Sequence, residues 1–161
     1  MKFNLLDHIE CLEPQRLVGV KQVTLAEEYL GDHFPSFPVL PGVLMLEALV
    51  QAAGWLMHHR RGFACSMAVL KEARNVKYGQ FVPPGSRLRL EVQWLADTAG
   101  GASFKGVGTV GDAQAVTGRL ELAYFNLADH DAALAPADQR LLEHTRRRWA
   151  LIAPAQVSPS L

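Results

Sequence analysis

HFPSFPVLPGVLMLEALVQ, residues 33–51, decides the reading of this chain. A lone histidine, His33, leads into Pro35, Pro38 and Pro41, and then into a run that is apolar except at Glu47 and Gln51. Pro41 suits the first position of a helix: it has no N–H to leave unpaired, its φ is preset, and it holds Leu40 extended. Gly42 then leaves the first amides of the helix uncovered. Val43, Leu44, Leu46, Leu49, Val50, Ala53 and Leu56 predict a helix that is apolar on every side. Such a helix belongs in the middle of a domain, wrapped by other elements.

Glu47 and Gln51 are four residues apart, so they lie one above the other on this helix. A carboxyl in apolar surroundings must be paired, hydrated or functional, because burying it alone is costly and shifts its pKa. Glu47 therefore reads either as a working group or as a residue facing a solvent gap or a structural arginine. His33 alone reads as a capping or packing residue as readily as a catalyst. Taken together, a base at His33, a bare helix start at Pro41-Gly42 and an acid at Glu47 are what proton abstraction beside a carbonyl requires.

The stretch resembles the 3-hydroxyacyl-acyl-carrier-protein dehydratases, a FabZ/FabA-like family with the hot-dog fold. The matching residues are His33, Phe34, Pro35, Pro38, Pro41, Gly42 and Glu47, with Gln51 one turn on. A weaker resemblance runs from about Leu5 to Phe125. It implies dehydration of a 3-hydroxyacyl thioester to a trans-2-enoyl thioester, with no metal and no organic cofactor. By the same resemblance His33 and Glu47 are catalytic, Gly42 N–H holds the thioester carbonyl, the Val39 carbonyl holds the His33 ring, and Gln51 orients Glu47. The partner implied is an acyl carrier protein bearing the 3-hydroxyacyl group. The assembly implied is a homodimer or dimer-based oligomer, with His33 of one subunit facing Glu47 of the other. Two rival readings keep the fold: a hot-dog acyl thioesterase, in which Glu47 activates water, and a non-catalytic acyl-carrier-binding subunit.

Lysine and arginine balance aspartate and glutamate at 16 each, which gives no overall electrostatic case for nucleic acid or an anionic membrane. Cys11 and Cys65 have no metal-ligand spacing, as in a reduced intracellular protein. With neither a signal-peptide pattern nor a long uncharged apolar span, the expectation is a soluble, cytoplasmic protein without membrane partners.

In chain order, Asn4 caps a predicted short helix to about Cys11, and Arg16 to Leu25 alternates as a strand. The central helix runs to Arg61 with Gly62 as its C-terminal cap, and His58, His59, Arg60 and Arg61 complement the helix dipole. Segments near Ser66–Tyr78, Arg87–Ala96, Ser103–Val110 and Ala115–Phe125 read as strands separated by glycine- and proline-rich turns. The fold class is α+β: an antiparallel hot-dog sheet wrapped around one long buried central helix. Residues 1–125 form this domain and 126–161 a C-terminal extension, with a helix from Pro136 to Leu151 and a flexible tail. Trp149 is expected to cover a neighbour behind the solvated run Arg146-Arg147-Arg148. Lys71, Arg74, Lys77, Arg87 and Arg89 are candidate contacts for phosphate or the carrier, or else a solvated face. Ser36 stands where the family usually has glycine, which places strain there if the turn needs φ > 0.

Overall fold

The structure, a computed structural model, describes residues 3–31, 33–34 and 36–154. Pro35 and the tail from 155 onward lie outside them. Six antiparallel strands form one sheet: β1 (His8–Glu13), β2 (Arg16–Gln22), β3 (Met67–Tyr78), β4 (Arg87–Thr98), β5 (Gly101–Val110) and β6 (Ala113–Phe125), in the spatial order β1-β2-β4-β5-β6-β3. The central helix α1 (Gly42–Arg60) packs in the concave face of the sheet, and a second helix, α2 (Ala135–Ile152), follows the last strand.

The core forms where the two apolar patterns meet. Leu49, Ala52, Ala53, Leu56 and Met57 of α1 are fully buried, as are Leu88, Leu90, Phe104 and Leu122 of the sheet. At Gly106 the sheet and α1 approach closely: a Cβ there would stand 3.0 Å from Cδ1 of Leu49. The far end of α1 closes with a Schellman motif, in which Phe63 N–H donates to His58 and Gly62 N–H to His59, with Gly62 at φ +60.

The N-terminal stretch 4–11, expected as a helix, is irregular as far as Asp7 and then enters strand β1 at His8. Leu5, Leu6 and Ile9 fit either period, but the Pro14-Gln15 turn folds β1 back on β2 with His8 opposite Val20, and this pairing overrides the local helical spacing. α1 is also not buried on all sides. Val43, in its first turn, is 69% exposed, beside the exposed Phe34, Phe37, Tyr78 and Phe81.

Candidate active site

The segment before α1 is pinned to the connection that follows β3. Leu40 N–H donates to the Val82 carbonyl at 2.9 Å, and Phe37 meets Phe81 edge to face at 5.7 Å. Phe37 N–H also turns back to the Phe34 carbonyl at 2.7 Å. Phe34, where this turn begins, is left-handed, with φ 54. A bulky side chain in that region is strained, so the turn beside His33 is held by its surroundings.

His33 is half-buried and its ring packs on Phe34 with centroids 4.4 Å apart. Among the described residues, its side chain makes no hydrogen bond, including to the buried Val39. Pro41 is the N-cap rather than the first helical residue, with ψ 137, and α1 begins at Gly42. Its carbonyl accepts from Leu44 and Met45, so the amides of Gly42 and Val43 precede the intrahelical ladder. The Tyr78 ring lies over this start, 3.1 Å from where a Gly42 Cβ would be.

Glu47 is five residues further on, about 7.5 Å along the axis and turned roughly 140° from Gly42. It is only partly buried, and Gln51 Nε2 donates to its Oε1 at 3.0 Å. Gln51 is itself fixed: Oε1 accepts from Leu5 N–H at 2.9 Å, and Nε2 also donates to the Phe3 carbonyl at 2.9 Å. Both residues line a cavity of about 280 Å³ that follows one face of α1 through Val50, Gly54 and Trp55 to His58. Phe3, Asn4 and Leu6 form one wall, while His144, Thr145 and Arg148 of α2 form another. His33 and Gly42 do not line this cavity.

Sequence reasoning missed the inward role of the end of α1. His58 is 7% exposed and stacks on Phe63 at 5.9 Å. The Tyr124 hydroxyl accepts from Cys65 N–H at 3.1 Å and shares a hydrogen bond with His58 Nδ1, 3.3 Å away. Burial pushes the His58 pKa down to about 4, so the ring is neutral and does not serve the helix dipole. His59 stacks on Trp149 at 5.1 Å, and burial lowers its pKa as well. Trp149 is 4% exposed and also meets Trp55, so the extension packs on α1 as expected of a covering tryptophan.

Of the basic strand residues, Lys71 pairs with Glu121, Arg74 with Glu72, Arg87 with Glu10 and Arg89 with Glu91, as on a solvated face. Lys77 lies in a shallow depression with Lys105 and Arg119. Among the described residues, no three His, Cys, Asp or Glu side chains gather closely enough to hold a metal ion. No described helix is long and apolar enough to cross a membrane.

A family profile described as a FabA-like domain matches residues 1–119. The chain belongs to this family. It is 38% identical over 128 residues to a 3-hydroxyacyl-[acyl-carrier-protein] dehydratase FabZ of Acetivibrio thermocellus, covering 77% of this chain and 86% of that one. It is also 38% identical over 109 residues to the FabZ of Solibacter usitatus, covering 67% of each. Among solved structures, the dehydratase heterocomplex ApeI:P from Xenorhabdus doucetiae superposes with a TM-score of 0.67 at 21% identity, over 83% of this chain and 90% of that one. This likeness shows the hot-dog fold. The FabA-like match ends inside β6, so α2 lies beyond it.

Proposed function

We propose that the chain dehydrates a 3-hydroxyacyl group, carried as a thioester on acyl carrier protein, to the trans-2-enoyl thioester of fatty-acid or related acyl-chain synthesis. The observation that carries this reading is the Glu47 carboxyl, held by Gln51 over a cavity that can take an acyl chain. The unprotonated ring nitrogen of His33 removes the C2 proton, and the Gly42 N–H at the positive end of α1 holds the charge gathering on the thioester oxygen. The C2 electron pair then forms the C2–C3 double bond. The C3–O bond breaks, and Glu47 gives its proton to the departing hydroxyl, which leaves as water. In this scheme the Val39 carbonyl holds the His33 ring and Gln51 orients Glu47.

The site is shared between two copies, His33 and Gly42 from one and Glu47 from the other. The rotation of Glu47 away from Gly42 around α1 supports this. So does the exposed apolar group Phe34, Phe37, Val43, Tyr78 and Phe81 around the start of α1. β3 ends the sheet with one edge unpaired in the single chain, a second surface suited to a copy of itself. The enzyme works in the cytoplasm on a protein-borne substrate.

The test is incubation with a 3-hydroxyacyl carrier-protein thioester, followed by mass, alongside His33→Ala and Glu47→Gln. Loss of water is expected in the wild type, with both variants slowed roughly 10²- to 10⁴-fold. Release of free acid that survives His33→Ala would make the protein a thioesterase. Bound carrier without conversion would make it a binding subunit.

A further inference from the structure

We infer that α2, which lies outside the family match, is part of the active site, and that Arg148 is a positioning residue for Glu47. This rests on the assignment of Glu47 as the acid. An unbroken set of contacts joins the two. Arg148 Nη2 donates to the Leu6 carbonyl at 3.3 Å, Leu5 N–H donates to Gln51 Oε1 at 2.9 Å, and Gln51 Nε2 donates to Glu47 Oε1 at 3.0 Å.

The middle of this path needs a clamp. Phe3 to Leu6 precede β1 and belong to no helix or strand, yet they supply two of the three hydrogen bonds that fix the Gln51 amide. These bonds also fix which end of the amide faces Glu47: with Oε1 taken by Leu5 N–H, only Nε2 is left for the carboxyl. Arg148 holds the segment from outside, on a helix anchored by Trp149 against Trp55 and by Asp138 at its first turn. The planar guanidinium makes that contact, and Arg148 also lines the Glu47 cavity. Arg147, one residue earlier, points outward to Glu143 and has no place in the path.

The experiment is a double-mutant cycle on dehydration, with Arg148→Met, Gln51→Ala and the pair, read as kcat and KM beside the thermal midpoint. Arg148→Met is expected to lower kcat about tenfold with little change in KM, since small misplacement of a catalytic group falls on the chemical step. Arg148→Gln, which keeps a donor for the Leu6 carbonyl, is expected to recover most of kcat, and Arg147→Met to leave it unchanged. The Arg148→Met loss is expected to vanish in the Gln51→Ala background, because Gln51 is the link through which it acts. Equal losses in both backgrounds, or a wild-type kcat in Arg148→Met, would overturn the inference. If Arg148→Met does not fold, the same cycle with Arg148→Leu and Arg148→Ala decides, and additive losses there sink the idea. An active Glu47→Gln would instead remove the assignment of the acid itself.

Discussion

At the scale of single residues, two side chains on α1 show how burial sets chemistry. Glu47 lines a cavity and accepts from the Gln51 side chain, whereas His58 is enclosed by Phe63, Trp55 and Tyr124 and held neutral. His58 has a folded pKa of about 4 against an ordinary 6.5, so the unfolded chain binds more protons between those values. Its contribution to stability is complete above pH 6.5 and is lost as pH falls toward 4, to the extent of about 3 kcal/mol. Urea unfolding of His58→Phe is expected to lack that part of the pH slope; identical slopes in variant and wild type would contradict the assignment. The role of His58 was not legible in the sequence, because a histidine at the end of a helix looks the same whether it meets solvent or Tyr124 from a distant strand. Glu47, Gln51 and Gly42 stand out in the sequence, because a polar residue or a glycine in an apolar helix is anomalous before any partner is known.

At the scale of elements, the strands and both helices were readable from alternation, turn residues and caps, and Gly62 ends α1 as its sequence context predicts. The first strand was not, because its partner decides it. Lys21 on β2 is 5% exposed and pairs with Glu27 at 2.7 Å and Asp7 at 3.4 Å, tying both the start of the chain and the approach to His33 to the sheet. Lys21→Met strands two partly exposed carboxylates and is expected to cost about 2 kcal/mol in chemical denaturation. Undiminished stability would show that the pair is only incidental. Trp149 carries the docking of α2. Trp149→Ala is expected to cost about 3–5 kcal/mol and to raise hydrogen exchange across α2 before the sheet opens. Uniform exchange would mean that α2 is not held through this side chain.

At the scale of the molecule, a single chain leaves Phe34, Phe37, Val43, Tyr78 and Phe81 open to water, and the cavity beside Glu47 is not lined by His33. Val43 and Phe81 are 69% and 66% exposed in the chain alone, so an aspartate at either disturbs little of its own core. In a shared site, Val43→Asp with Phe81→Asp is expected to shift the protein to monomer in sedimentation and to abolish dehydration. An active monomer would contradict the shared site. The most direct measurement mixes His33→Ala with Glu47→Gln, each inactive alone, after dissociation and reassociation. In a shared site each mixed dimer has one intact pair, His33 from the Glu47→Gln subunit and Glu47 from the His33→Ala subunit. Random mixing then restores about a quarter of wild-type dehydration. If the mixture stays inactive although mixed dimers form, each chain holds its own complete site and the account fails.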